Sequence, residues 1–130
     1  MSENLDLVRS IYTDWERGDF THDDWAAPEI ELVRPESLDG DALAGRDRSA
    51  AGWREWLSAW SEFRTEAEEF RVLDDGRILV YGHMTGVGKL SGTRTDTPTI
   101  NVFEIRAGRV VRLLLYADRN RALADLGLTE

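Results

Sequence analysis

The chain contains no cysteine, one lysine and three prolines in 130 residues, and it has no long apolar run. Without cysteine there is no disulfide scaffold, no thiolate metal site and no cysteine nucleophile. No stretch approaches the eighteen or more apolar residues of a membrane-spanning helix, and no signal-like segment precedes the first charged residues. The compartment expected from these absences is the cytoplasm. Positive charge is also scarce. Lysine plus arginine totals 16 against 25 aspartate plus glutamate, for a net charge of −9 and a pI near 4.7. Such a surface repels phosphate backbones and anionic lipid, so neither nucleic acid nor a membrane surface is expected as a partner. Apolar residues make up 42% of the chain. That is enough for one domain of ordinary size with its own core, spanning residues 1–130.

Hydrophobic period organises the rest. Leu5, Val8, Ile11, Tyr12 and Trp15 recur at three- and four-residue spacing, which predicts a helix over Glu3–Arg17 stopped by Gly18. Thr21-His-Asp-Asp24 resembles a capping box and predicts a short second helix through Trp25, ended by Pro28. Alternation over Glu29–Arg34 predicts a strand closed by Pro35. Glu36–Arg46 reads as a loop in which Asp39 and Asp41 form turns. Trp53, Trp56, Leu57, Trp60 and Phe63 predict a long helix over Asp47–Phe63 with an aromatic face. Four strands follow, Glu66–Leu73, Arg77–Lys89, Thr95–Arg106 and Arg109–Ala117, joined by turn signals at Asp74-Asp75-Gly76, Leu90–Thr93 and Ala107-Gly108. Arg119–Leu126 closes the chain as a helix. Helices first and an antiparallel meander afterwards make an α+β domain, in which a twisted sheet can curl around helices and leave a hollow.

The helix ending in Glu16-Arg-Gly-Asp19, Gly45-Arg-Asp47, Asp75-Gly76, Gly108-Arg-Val-Val-Arg112 and Tyr116-Ala-Asp-Arg119 with Leu123–Leu128 occur in the order seen in one superfamily. On these features the chain resembles the nuclear-transport-factor-2-like superfamily, specifically its SnoaL-like group. The resemblance implies a cone of curved antiparallel sheet wrapped around the N-terminal helices, a cystatin-like α+β barrel with a pocket at its wide end. It also implies frequent dimerisation through the sheet's outer face. Members include isomerases, polyketide cyclases, epoxide hydrolases and non-catalytic binding modules, so fold does not fix function.

Carried over residue by residue, the family's acids are missing. The steroid isomerases place a general-base aspartate before a proline at the end of the first strand, where this chain has Arg34-Pro35. A guanidinium accepts no proton. Arg34 then either binds a carboxylate, enolate or phosphate, or pairs with an acid such as Asp14, or reaches the pocket rim. Asn101 stands where the isomerases carry a protonated aspartate, and its amide either donates to a developing oxyanion or is satisfied within the core. The isomerase tyrosine falls on Ile11, with Tyr12 about 100° away around the helix. Leu115 takes the place of the acid that cyclases and epoxide hydrolases carry on the last strand. Gly82 and Met84 stand where the hydrolases need Arg and Asp. Asp14 and Glu31 are the acids that a different helix phase or strand register would bring inward.

The expected pocket wall comprises Ile11, Trp15, Leu32, Trp56 and Trp60, together with Met84, Phe103, Leu113 and Leu115. Strand parity puts His83 on the outer face, whereas a one-residue change of register would turn it toward the pocket, and His22 reads as a surface residue. Two isolated histidines give no metal site, and no cofactor is expected. Leu114 and Tyr116, alternating with inward neighbours, would lie bare on the outer sheet face, which predicts a homodimer. Two functions fit this pattern. One is an enzyme on an apolar oxygenated molecule that uses Asn101 and Arg34, and the other is a ligand-binding or interaction module without catalysis.

Overall fold

The computed structural model describes residues 3–36 and 41–128. Helix α1 spans Glu3–Glu16 and buries Val8, Ile11, Tyr12 and Trp15, the stripe that its apolar spacing predicts. Strands β1 (Ala26–Arg34) and β2 (Asp41–Ala44) precede helix α2 (Arg46–Ser58). Strands β3 (Trp60–Val72), β4 (Ile78–Gly88), β5 (Arg94–Arg106) and β6 (Arg109–Tyr116) follow, and helix α3 (Arg119–Leu126) ends the fold. The strands form one curled, unclosed sheet in the order β2-β1-β6-β5-β4-β3. The meander β3 to β6 is antiparallel as expected, but β1 joins β6 in parallel, so the sheet is mixed.

Four local expectations need correction. Residues 21–25 form no helix. The Asp19 carboxylate instead accepts from the Thr21 backbone N–H and hydroxyl, so the polar run closes a turn on itself. Pro28 therefore ends no helix and lies inside β1, where the β1–β6 register shifts between Ala26 and Glu31. Such an irregularity tolerates a residue without an N–H. The loop expected over Glu36–Arg46 contains β2, paired with β1 through Leu43 and Leu32. Asp39 lies outside the described residues. Finally, α2 stops at Ser58, and Trp60 and Phe63 belong to β3. A β-bulge adds Ser61 between Trp60, opposite Gly88, and Glu62, opposite Val87. It turns two residues three apart to the same face, which imitates a helical period.

The sheet's curl is built into β4. A Cβ placed on Gly82 would lie 2.3 Å from the Glu66 carbonyl oxygen of the adjacent strand, and one on Gly86 would lie 2.6 Å from the Trp60 ring. The β5–β6 hairpin turns through Ala107 (φ 53°) and Gly108 (φ 77°), the pair of positive values that a tight hairpin requires.

Two apolar clusters sandwich the sheet. The inner one joins α1 to Ile30, Ile78, Val80, Phe103, Val110 and Leu113. The outer one joins Leu79, Ile100, Val102, Leu114 and Tyr116 to Ala122 and Leu123 of α3. Leu114 and Tyr116 are only 7% and 4% exposed, because α3 folds back over them. The bare outer face that motivated a homodimer is thus covered within one chain. Among the described residues, the exposed large hydrophobics are Val72 and Leu90, which do not belong to that face. Asp118 caps α3 by accepting from the Arg121 N–H, and the Tyr116 hydroxyl donates to Asp125 at 3.0 Å. Burial, reinforced by that carboxylate, pushes the Tyr116 phenol up to about 12.

Candidate functional site

Between the inner face of the sheet and α2 lies a cavity of about 970 Å³. Its polar groups follow from strand parity. Asn101 and Thr99 alternate inward on β5, Leu115 lies opposite Asn101 on β6, and Thr65 lies opposite Met84 on β4. Helix α2 contributes Arg48, Ala51, Gly52, Trp53, Glu55 and Trp56, a face set by three- and four-residue steps, and Ala59 follows at its C-cap. No residue of α2 is fully buried, so the helix roofs the cavity rather than filling it.

Asn101 sits at the buried end, 9% exposed. Its Nδ2 donates to the Tyr12 hydroxyl at 2.7 Å. The rest of its amide has no hydrogen-bond partner among the described residues. Tyr12 was expected to point away from the pocket. It is 2% exposed and aims inward, because the buried face of α1 is wide enough to hold Ile11 and Tyr12 together. Phe70, Phe103 and Trp15 meet its ring edge-on. Burial drives the Tyr12 phenol well above its ordinary pKa, the Asn101 hydrogen bond only partly offsets this, and Glu16 adds to the rise. The phenol is therefore neutral across the physiological range.

Thr65 is 7% exposed, and its hydroxyl makes no side-chain hydrogen bond among the described residues. It is a second buried polar group of the cavity wall. Charged groups gather at the mouth. Arg34 is exposed there, in the rim position that its long stem allows. Glu36 also lines the mouth, but both its carboxylate oxygens accept backbone N–H groups, from Ala117 at 2.7 Å and Asp118 at 2.6 Å. That carboxylate ties the end of β1 to the β6–α3 corner. Glu55 is exposed on α2.

Of the expected wall, Trp15, Leu32, Trp56, Met84, Leu115, Arg34 and Asn101 do line this cavity. Ile11 and Phe103 lie in the core beneath it, and Leu113 faces a separate smaller cavity. Trp60 packs on Trp56 and Phe63 and does not line it. Asp14 lines neither cavity. It pairs with Arg17 and lies 3.6 Å from His22, and is no partner for a group of the main cavity. Glu31 faces Arg112. His83 is on the outer face as expected, between Glu68 at 3.9 Å and Asp96 at 3.5 Å. Thr65, Thr99, Arg48 and Glu55 were not anticipated. Thr99 was within reach of simple alternation from Asn101, and Thr65 became visible only through its pairing with Met84.

Among the described residues, no group of three or more His, Cys, Asp or Glu is placed to hold a metal ion. No helix among them is long and apolar enough to cross a membrane.

Residues 8–113 match the SnoaL-like domain family. The chain belongs to that family. Solved structures agree on the fold of this SnoaL-like protein. A protein of unknown function from Burkholderia pseudomallei, described as NTF2-like, superposes with a TM-score of 0.79 at 23% identity, covering 95% of this chain and 97% of that one. A protein from a Jannaschia species, provisionally named a SnoaL-like polyketide cyclase, gives 0.76 at 16% identity over 98% and 94%. TerC, co-crystallised with polyporic acid, gives 0.76 at 21% identity over 96% and 98%. A search among curated proteins finds no match to the chain.

Proposed function

We propose that this SnoaL-like protein binds an apolar, ring-containing molecule in the main cavity and holds one of its oxygen atoms on Asn101. The observation that carries this reading is the amide's placement. It is buried at the closed end of an otherwise largely apolar cavity, fixed by one bond to Tyr12, with its remaining hydrogen-bonding capacity unspent. The free part of the amide borders the cavity, where water can reach it, and a ligand oxygen that replaces this water gains about the net value of one hydrogen bond, 0.5–1.5 kcal/mol. A cavity of about 970 Å³ is at the upper end of ordinary small-molecule sites, large enough for several fused or linked rings. Aromatic walls from Trp15, Trp53, Trp56 and Phe63 supply flat apolar faces for them.

The absent acid shapes the rest. The carboxylates of the wall, Glu36 and Glu55, stand at the mouth, and Glu36 is held by two backbone N–H groups. Proton abstraction by a carboxylate buried beside Asn101 is not built into these residues. Binding and polarisation are therefore the favoured activity. A catalytic form of the same reading is favoured by one observation, the buried Asn101 amide in the cavity wall, a donor of the kind that stabilises a developing oxyanion. In that form Glu55 is the acid–base group that remains unspent.

Titration with polyporic acid and with hydroxylated or ketone-bearing polycycles, followed by tryptophan fluorescence, tests the proposal. Saturable binding that weakens at least about tenfold in Asn101→Leu, the worth of one good hydrogen bond, supports it. Equal affinity of both proteins for every binder overturns it. Deuterium uptake by a bound ketone, lost in Glu55→Gln, separates the catalytic form from binding alone.

A further inference from the structure

Helix α2 has a second cavity on its other side, of about 270 Å³. Trp15, Leu32 and Trp53 belong to both cavities and form the partition between them. The second is too small for the ligand of the first, and its walls include Trp15, Phe20, Trp25 and Trp53. Trp15 stacks on Trp53 with ring centroids 5.6 Å apart, and Trp25 meets Trp15 edge-on at 6.0 Å. Phe20 closes the set, 5.9 Å from Trp53.

Among these rings lies Arg46, half-buried at the start of α2. A guanidinium is always charged and carries five N–H donors. One Arg46 nitrogen, Nη2, donates to the Ala26 carbonyl. Nε is buried with no acceptor. No carboxylate pairs with Arg46 among the described residues, whereas Arg17, Arg77, Arg112, Arg119 and Arg121 each have one. A partly buried charge without a counter-charge is costly, and it persists where something else supplies the compensation. Arg54 adds a second cation at the rim, also without a partner among the described residues. Opposing charges are few. Asp23 is exposed at the rim, and His22 is engaged with Asp14 and Asp19.

We propose that this second cavity binds a small planar aromatic carboxylate, with its ring among Trp15, Trp25 and Trp53 and its carboxylate on Arg46. A carboxylate matches the guanidinium fork and neutralises it, which a neutral amide or an ammonium group does not do. The indole and phenyl faces accept a flat ring by stacking or edge contact. This site is independent of the ligand assigned to the main cavity.

Benzoate is the probe, with benzamide and benzylamine as matched controls, read by calorimetry and by tryptophan quenching. Benzoate is expected to bind saturably at millimolar concentration or below, and at least about tenfold more tightly than either control. Arg46→Met should abolish this binding. Because Arg46 also supports the Ala26 carbonyl, a second variant leaves it intact. Ala50 lines only the small cavity, and Ala50→Leu fills it with side-chain volume. That variant should remain folded, lose benzoate and keep its response to ligands of the main cavity. The proposal is overturned if benzoate fails to bind, if benzylamine binds as tightly, or if binding survives either substitution.

Discussion

Removing Asn101 and Tyr12 singly and together tests whether the two form one buried unit. Tyr12 is 2% exposed, and its hydroxyl receives a 2.7 Å hydrogen bond from Asn101. Asn101→Leu deletes the donor and strands that hydroxyl away from water, for an expected loss of about 1–3 kcal/mol. Tyr12→Phe strands the amide instead. Asn101 borders the cavity, where water can reach it, so the loss should be nearer the net value of one hydrogen bond, about 0.5–1.5 kcal/mol. The double variant removes both partners and leaves apolar groups of similar shape. It should be more stable than the sum of the single losses implies, with a coupling of about 1–2 kcal/mol. For a domain of this size each kcal/mol moves Tm by roughly 3–5 °C. Urea melts of the four proteins measure the cycle directly. Single losses that add to within about 0.3 kcal/mol in the double variant would refute the pairing.

Three further outcomes follow from the geometry. Gly82→Ala drives a Cβ to within 2.3 Å of the Glu66 carbonyl oxygen, so a thermal melt should show a loss of about 1–3 kcal/mol; an unchanged Tm would contradict the tight curl of β4. Leu115→Asp places a carboxyl in the cavity wall beside Asn101, where desolvation raises its pKa. The folded state then loses stability as pH rises through that raised value and recovers it as pH falls, and a pH-independent melt would show that the side chain faces water. In the wild type the Tyr116 phenol is raised to about 12, so its contribution is complete below the ordinary tyrosine pKa of about 10 and is lost as pH climbs from there to about 12. Tyr116→Phe should flatten the alkaline limb of a stability–pH curve, and an identical limb would sink the assignment.

Elements with a clean period were legible in the sequence. Helix α1, strands β4–β6, the later part of β3 and α3 lie where spacing and turn residues put them, and the inward parity of Asn101, Met84 and Leu115 was readable from alternation. Legibility failed where a local signal had two physical meanings. Trp60 and Phe63 imitate a helix because a bulge changes strand phase between them. Asp19 to Asp24 imitates a cap because the same side chains that cap helices also close turns. The outer Leu114 and Tyr116 looked bare because alternation along β6 carries no information about α3 folding over it. Tyr12 was misplaced by carrying the isomerase tyrosine onto Ile11, although the apolar stripe of α1 buries both Ile11 and Tyr12. The unspent donors of the two cavities depend on which residues meet in space, and no linear spacing records that.

The central claim is that the main cavity holds a ligand oxygen on Asn101. The most direct measurement is the NMR signal of the Asn101 side-chain amide in ¹⁵N-labelled protein during titration with polyporic acid. With a ligand oxygen held on Asn101, this signal shifts saturably and in step with the tryptophan resonances of Trp15 and Trp56. Saturable binding with the Asn101 amide unmoved, and shifts confined to the outer face around His83, would contradict it.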